Sequence, residues 1–281
     1  MSDFFFEFRG ELRKLFKRKR THLGFIAFAV VEILMPLLLE IRPVKETFRT
    51  IIEQMGQPFD RYFTALTIAL IVMRATVFMI GSLYVAMVAG DIISKEVEDG
   101  TMRMLLSRPV SRLRILALKY LATVLYTTVL AFFIGLTSLA AGFLYERPGG
   151  FFVFGMVEHI YAFHEFWPGL ERYFAILPML VLSLLTVNAA AFFLSCLNMK
   201  PAAATICTLT IFFVDYVFRS LPFFESLEPY FIATRLGTWM QVFERDIPWH
   251  HIATDFTLLL AADATLFVLG WLSFERRDFK A

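Results

Sequence analysis

The chain has 281 residues, of which 58% are hydrophobic and 33 are phenylalanine. This composition and a positive mean hydropathy exclude an ordinary soluble globular protein and favour a membrane protein. The formal net charge is only +2 at pH 7, and we expect membrane lipid but no nucleic acid among its partners.

The N-terminal segment, residues 3–20, is predicted to form an amphipathic helix. Its aromatic and aliphatic residues recur at helical spacing, and basic residues lie on the other side. Such a helix lies in the membrane interface, held by its apolar face and by attraction to anionic lipid. A soluble helix that ends in a basic run is the alternative interpretation.

Six apolar stretches follow, and each is close to the ~20 residues that a helix needs to cross a bilayer. The chain is therefore predicted to be an all-α polytopic membrane protein, with a single transmembrane domain over residues 1–281. No small-residue cleavage site follows the first stretch, so we expect it to stay as an anchor. The stretches cover about 22–41, 64–90, 112–144, 173–197, 201–220 and 253–274.

The distribution of basic residues predicts the orientation of these spans. Seventeen Lys and Arg residues lie in the N-terminal segment, in 91–119, in the turn 198–201 and in the C-terminal tail, against nine in the opposite loops. We therefore expect a protein of the cytoplasmic (inner) membrane with both termini in the cytoplasm. Cys196 and Cys207 lie near a predicted cytoplasmic turn, where we expect reduced thiols.

The two longest segments on the opposite side are 145–172 and 221–250. The first is rich in aromatic residues, which are typical of a cap at the membrane interface. The second resembles a set of short amphipathic or re-entrant pieces. Because re-entrant backbone needs protein or water around it, this segment is a candidate roof for a cavity.

Four ionisable residues lie inside the predicted spans, namely Glu32, Arg74, Asp215 and Asp263. Glu32, Arg74 and Asp263 would share a depth near the bilayer centre, where an unpaired charge costs on the order of 3 kcal/mol or more. We therefore expect Arg74 to pair with Glu32 or Asp263, either as a structural contact or as part of a substrate path. Asp215 is closer to the outer surface, where water can hydrate it.

Motifs that would indicate catalysis are missing from the sequence. It contains no G-x-x-x-x-G-K-[ST] phosphate loop, no H-E-x-x-H and no G-x-S-x-G. We therefore expect no catalytic residue, no metal site and no cofactor in this chain. The histidine and acid groups on the outer side lack a convincing metal-ligand spacing; they are Glu158, His159, His164 and Glu165, and His250, His251 and Asp255.

Residues 91–119 form the longest charged interruption between two apolar stretches. Gly100 is expected to close one helix in the left-handed conformation, and Thr101 to cap a short helix that ends before Pro109. Ser111 is expected to cap the next helix. The short helix has an apolar face and flanking charges, and this combination predicts a docking surface for a soluble partner. Its candidate contact residues are Glu96, Glu98, Gly100, Thr101, Met102, Arg103, Leu105, Leu106, Arg108 and Pro109.

The order of residues in this segment resembles a loop of the type-2 ABC transporter permeases. That family shows a pattern like E-x-E-x-G-T-x-R-x-L-L-x-x-P-x-S-R-x-x-I-x-x-x-K between its second and third spans, and residues 96–119 follow it. The basic N-terminal helix and the tail Phe274–Phe279, similar to F-x-R-R-D-F, agree with the family. The matching positions are Glu96, Glu98, Gly100, Thr101, Arg103, Leu105, Leu106, Pro109, Ser111, Arg112, Ile115 and Lys119.

The resemblance implies that the chain is the permease subunit of an ATP-driven exporter. Two permease subunits, identical or related, would pair with two separate ABC-type ATPase subunits that bind ATP and magnesium. Residues 91–110 would hold the coupling helix, which contacts the ATPase, and residues 3–20 would form the elbow helix beside it.

Two other functions stay open at this point. One is a secondary transporter or channel without an ATPase, in which Arg74, Glu32 and Asp263 would form an ion-coupled relay. The other is a membrane assembly factor that transports nothing. The sequence does not indicate the substrate.

Overall fold

The computed structural model describes residues 2–17, 19–107, 110–155, 158 and 160–277. In this part of the chain, α-helices dominate, as predicted, and two short strands form a hairpin. The helices are α1 (Ser2–Phe16), α2 (Lys19–Leu39), α3 (Arg42–Gln54), α4 (Phe59–Tyr62), α5 (Ala65–Thr76), α6 (Ser82–Glu98), α7 (Thr101–Leu106), α8 (Arg112–Tyr145), α9 (Phe166–Cys196), α10 (Pro201–Arg219), α11 (Ile232–Leu236) and α12 (Trp249–Glu275).

Within the described residues, five helices are long and apolar enough to cross a membrane, namely α2 from Thr21 onward, α8, α9, α10 and α12. In α9, 67% of the most apolar stretch is buried inside the protein, against 17% in α10. Therefore α9 is the central helix of the bundle, and α10 leaves most of its apolar surface free for lipid.

The second predicted span is an interrupted helix. α5 continues into a π-helix at Val77–Gly81, and the chain then continues as α6. A π-helical turn contains an extra residue and is often found at functional sites. The sequence predicted a regular span over 64–90, whereas the helix extends to Glu98 and includes most of the acidic stretch. The apolar helix α5 has only 12 residues, too few to cross a bilayer alone.

The hairpin lies in the segment that was expected to cap the membrane interface. Strands β1 (Phe151–Gly155) and β2 (Ile160–His164) pair antiparallel, with Phe151 opposite His164. Their run of aromatic and β-branched residues suits a pleated, half-buried surface, although the sequence prediction contained no strand. The Phe152 amide donates a hydrogen bond of 2.9 Å to the hydroxyl of Thr67, which seats the hairpin on α5.

The segments between the long helices gather at two opposite ends of the bundle. The N-terminal end carries α1, α7, the turn 197–200 and residues 275–277. The hairpin end carries the hairpin, α3, α11 and two 3₁₀-helices, Pro222–Tyr230 and Thr238–Phe243. The N-terminal end thus contains the segments rich in basic residues, and the hairpin end contains the segments with few basic residues, as predicted from the sequence.

Candidate functional site

The segment around α7 adopts most of the local structure that its sequence predicts. Gly100 has a φ angle of 72°, the left-handed conformation expected after α6. The Ser111 hydroxyl caps α8 by accepting a hydrogen bond of 3.3 Å from the Arg114 amide. Thr101 differs from its prediction, because its hydroxyl donates to the carbonyl oxygen of Glu96 at 3.2 Å. Thr101 is the first residue of α7, and its hydroxyl closes the end of α6.

The helix α7 turns one side to the protein core and another to the solvent. Met102 is only 1% exposed and packs in the same core cluster as Leu15 of α1 and Leu116 of α8, whereas Met104 is 67% exposed. Met102 is therefore buried, contrary to the prediction that it belongs to the docking surface. Arg108 and Pro109 lie outside the described residues, and so do the side chains of Arg103 and Leu106.

A groove of about 240 Å³ runs between α1 and the first turns of α8, next to α7. Phe6, Leu105 and Leu118 form part of its apolar lining, and Glu7 and Lys14 add charge. Leu105 is half-buried at this groove and keeps part of its surface accessible.

A buried lysine joins the helices around α7. Lys119 of α8 has a side-chain exposure of 1%, and its Nζ lies 2.7 Å from Oε1 of Glu96 in α6 and 3.0 Å from Oε2 of Glu11 in α1. Burial opposes ionisation of Glu11, but the ammonium groups of Lys119 and Lys14 outweigh it and hold the pKa of this carboxyl below its ordinary value. Three helices therefore meet at one ammonium group.

Glu11 was not identified as a functional residue from the sequence. One signal was available, because Glu11 lies three residues after Phe8 and four before Leu15, on the helix's apolar face. A single acid on the apolar face of a basic helix needs a cation as partner. Lys119, in the middle of an apolar stretch, supplies it.

Two arginines cap helix ends at the same end of the bundle. Arg112, at the start of α8, donates to the carbonyl oxygens of Glu275 at 2.9 Å and Arg277 at 3.1 Å, just after α12. Arg277 in turn donates to the carbonyl of Leu197 at 2.9 Å and to Oδ1 of Asn198 at 2.8 Å. A cation interacts favourably with the carbonyl groups at the C-terminal end of a helix, so these arginines stabilise the ends of α12 and α9. Arg112 therefore ties α8 to the end of α12, and Arg277 ties the end of α12 to the end of α9.

The charged residues in the predicted spans do not meet one another. Arg74 pairs neither with Glu32 nor with Asp263, so the expected pair is wrong. Its Nη1 donates to the carbonyl of Phe154 at 2.7 Å, and its Nη2 lies 2.9 Å from Oε2 of Glu158. The long side chain of Arg74 extends to the hairpin, where it contacts the carbonyl oxygen of Phe154 and the carboxylate of Glu158.

The three acids have separate surroundings. Glu32 of α2 is fully buried and accepts a hydrogen bond from the Thr137 hydroxyl of α8. Asp263 of α12 is 5% exposed and lies close to the hydroxyl of Thr186 in α9. Asp215 was expected to be hydrated, but it accepts hydrogen bonds from the amides of Ile232 and Ala233 at 3.3 and 2.6 Å. Asp215 thereby holds the start of α11.

Polar contacts also fix the short helices at the hairpin end. Asp255 of α12 forms an ion pair with Arg235 and accepts a hydrogen bond of 2.6 Å from Thr238. Nε2 of His164 lies 2.8 Å from the carbonyl oxygen of Phe243. Burial is the main influence on His164 and lowers the pKa of its imidazole. These histidine and acid groups therefore act in structural contacts.

The sequence profile of the ABC-2 family transporter proteins matches residues 8–279, nearly the whole chain. The chain belongs to the ABC-2 transporter family. A comparison with curated protein sequences gives no match. The ABC-2 profile confirms the resemblance to type-2 ABC permeases, and together with the five apolar helices it identifies an integral, multi-pass membrane protein. Members of the ABC-2 family are transmembrane subunits that are generally not catalytic themselves.

Proposed function

We propose that this ABC-2 family protein is the permease subunit of an ABC transporter, and that it exports a substrate across the cytoplasmic membrane. ATP hydrolysis on a separate ATPase subunit supplies the energy. The observation that carries the proposal is the arrangement around α7, a short helix with an exposed side that follows α6 directly, where the ion pairs of Lys119 join α1, α6 and α8.

The proposed topology has six spans. The second span consists of α5, the π-helix and α6, and both termini lie in the cytoplasm. The excess of basic residues at the N-terminal end supports this orientation. In this arrangement α1 is the elbow helix at the membrane surface, and α7 is the coupling helix. Two such permease subunits, identical or related, work with two ATPase subunits.

The surface for the ATPase consists of the exposed side of α7 and the end of α6. Met104 is 67% exposed there, the highest value among the described apolar side chains of α7, and Leu105 borders the groove beside α1. Lys95 pairs with Glu98 at 2.8 Å and with Asp99 at 3.2 Å, so exposed charges of both signs lie next to α7. An apolar patch surrounded by charges gives a partner contact area, and the charges fix the orientation in which it binds.

Movement of the ATPase subunits reaches the spans through these contacts. A displacement of α7 acts directly on α6, because only Asp99 and Gly100 separate the two helices. Along α6 the displacement arrives at the π-helix, where the regular hydrogen bonding is already interrupted. Lys119 transmits the same displacement to α1 and α8, and Arg112 transmits it to the end of α12. The spans therefore move as connected bodies.

The separation of Arg74 from Glu32 and Asp263 bears on the secondary-transporter hypothesis. That hypothesis depended on a shared ion relay near the bilayer centre, and Arg74 is bound to Glu158 at the hairpin end instead. No second observation favours an ATP-independent transporter.

Purification of the tagged chain from its native membranes tests the proposed function. We expect a subunit with a phosphate loop to copurify, and the complex to hydrolyse ATP after reconstitution in lipid vesicles. Substitution of the catalytic residues of that subunit should abolish transport. Transport at full rate by this chain alone, without ATP, would overturn the proposal, and a complex without any ATPase would favour an assembly factor.

A further inference from the structure

A cavity of about 560 Å³ lies near the hairpin end, between the α5–π-helix junction, α9 and α10. This volume is within the range of roughly 300–1,000 Å³ that small-molecule sites occupy. The α11 region roofs the cavity, as the sequence suggested for this segment. Its long walls are apolar and largely aromatic, with Phe78, Leu184, Phe212, Phe213, Tyr216 and Trp239 among the lining residues.

Charged groups are concentrated at the roofed end. The charged side chains in the described lining are two arginines, Arg74 and Arg219, and one carboxylate, Glu158. Arg219 donates to the carbonyl oxygen of Ala233 in α11, and Glu158 lies against Gly237, one residue beyond α11. The apolar walls and the arginines therefore belong to different parts of the same cavity.

The arginine Arg74 keeps hydrogen-bonding capacity beyond its protein contacts. A guanidinium group has five N–H donors. Arg74 uses Nη1 for the carbonyl of Phe154 and Nη2 for the carboxylate of Glu158, and 25% of its side chain remains exposed. Both carboxylate oxygens of Glu158 are occupied by this one arginine.

The second arginine, Arg219, is less completely bonded. Its side chain is only 6% exposed, yet Nε has no hydrogen-bond partner among the described residues. Nη1 donates to Ala233 at 3.2 Å, and Nη2 reaches Glu228 at 3.5 Å, the limit of a hydrogen bond. The nearby carboxylate of Asp215 is occupied by the backbone amides at the start of α11. In the described lining, two guanidinium groups therefore face one carboxylate, and Nε of Arg219 is left without an acceptor there.

We propose that this cavity binds an amphipathic molecule with an anionic, oxygen-rich head group. The head group, a carboxylate or a phosphate, lies at Arg74 and Arg219, because a guanidinium group matches two oxygens of such an anion in a fixed geometry. The hydrocarbon or aromatic body lies along the walls formed by Phe78 and Phe212. That such a molecule is also the transported substrate rests on the proposed function, whereas its binding does not.

Two photoreactive probes that differ only in the head group test this proposal on the full chain. They are a long-chain fatty acid and the corresponding fatty alcohol with the same diazirine in the chain, and the protein is held in phosphatidylcholine nanodiscs. We expect the acid to label residues 209–219 roughly tenfold more than the alcohol does, because only the acid pairs with the arginines. Equal labelling by both probes in the wild-type protein would overturn the proposal.

Substitutions then locate the head group. We expect Arg219→Gln to reduce labelling by the acid to the level of the alcohol. Arg61→Gln should leave it unchanged, because Arg61 lies at the hairpin end but pairs with Glu165 outside this cavity. If folded Arg219→Gln protein were labelled like the wild type, the proposal would fail. If the variant does not fold, the comparison of acid and alcohol in the wild-type protein still tests the proposal.

Competition distinguishes an amphiphile from a free anion. We expect dodecyl phosphate to displace the acid probe and inorganic phosphate to have no effect. Displacement by inorganic phosphate at the same concentration would show that the apolar walls do not contribute, and would overturn the proposal. All these measurements use the chain without any ATPase, so failure of the proposed function would leave their outcome unaffected.

Discussion

Lys119 and Glu96 form an ion pair of 2.7 Å between helix α8 and the last turn of α6, and Lys119 is almost completely buried there. The pair spans the segment that contains α7, so it fixes the two ends of that segment relative to each other. Glu11 completes the contact from α1 at 3.0 Å. The exposed helix α7 is thus anchored on both sides.

Replacement of Lys119 by Met should disrupt this anchor. The change leaves Glu11 and Glu96 without their cation in a buried place, which costs on the order of 3 kcal/mol. We expect weaker binding of the ATPase and faster hydrogen exchange in α1 and α7, while the spans keep their protection. Hydrogen exchange with mass spectrometry of the purified protein measures these effects.

Lys45→Met is the matched control for Lys119→Met. Lys45 also contacts two acids, Glu40 at 2.7 Å and Glu146 at 3.8 Å, but at the hairpin end and with 29% of its side chain exposed. The Lys45→Met substitution should leave hydrogen exchange in α1 and α7 unchanged. If both variants changed α7 equally, or neither did, the special role of Lys119 would be refuted.

The left-handed glycine before α7 provides a second test. Gly100→Ala places a side chain at a φ of 72°, which costs roughly 1–2 kcal/mol and shifts the start of α7. We expect less copurified ATPase and lower ATP hydrolysis per permease. Gly56 has a φ of 75° between α3 and α4, and an added Cβ would meet no other atom there, so Gly56→Ala imposes the same strain far from α7. Equal loss of ATPase in both variants would contradict the proposed docking site.

The pairing of Arg74 can be tested through rescue. Arg74→Leu should lower the melting temperature, because it leaves the mostly buried Glu158 carboxylate without its cation, at a cost on the order of 3 kcal/mol. Adding Glu158→Gln should restore part of the loss. Adding Glu32→Gln or Asp263→Asn should restore none, since neither residue contacts Arg74. Rescue by one of these two in place of Glu158→Gln would support the pair that the sequence predicted.

The hairpin contact of His164 predicts a dependence on pH. Burial holds the pKa of His164 below its ordinary value, so the unfolded chain takes up this proton at a higher pH than the folded chain does. Its contribution to stability is complete above about pH 6.5 and is lost as the pH falls towards the folded pKa. We expect melting temperatures to fall less steeply between about pH 7 and 5 in His164→Gln than in the wild type. His22→Gln, at an exposed site of α2, should keep the wild-type slope, and the same slope in His164→Gln would contradict this assignment.

Local signals in the sequence determine much of the helical architecture. The apolar stretches of α8, α9, α10 and α12, and the glycine before α7, could be identified because each depends on residues close together in the chain. The π-helix could not be identified from the sequence, because its extra residue depends on how α5 and α6 pack on other helices.

Contacts between distant segments were harder to predict. The partner of Arg74 is 84 residues away in a hairpin that hydrophobic patterning alone did not reveal. Depth in the membrane grouped Arg74 with Glu32 and Asp263, but depth along a helix does not determine the direction of a long side chain. Met102 shows the same limit, because helical spacing identifies an apolar face without showing which neighbour covers it.

Site-specific photo-crosslinking from α7 tests the central claim most directly. A photoreactive amino acid at Met104, which is 67% exposed, should crosslink to an ATPase subunit with a phosphate loop in native membranes. The same amino acid at Phe223, which is 87% exposed at the hairpin end, should give no such product. A crosslink to the ATPase from position 223 but not from position 104, or from neither position in an ATP-hydrolysing complex, would contradict the proposal that α7 is the coupling helix.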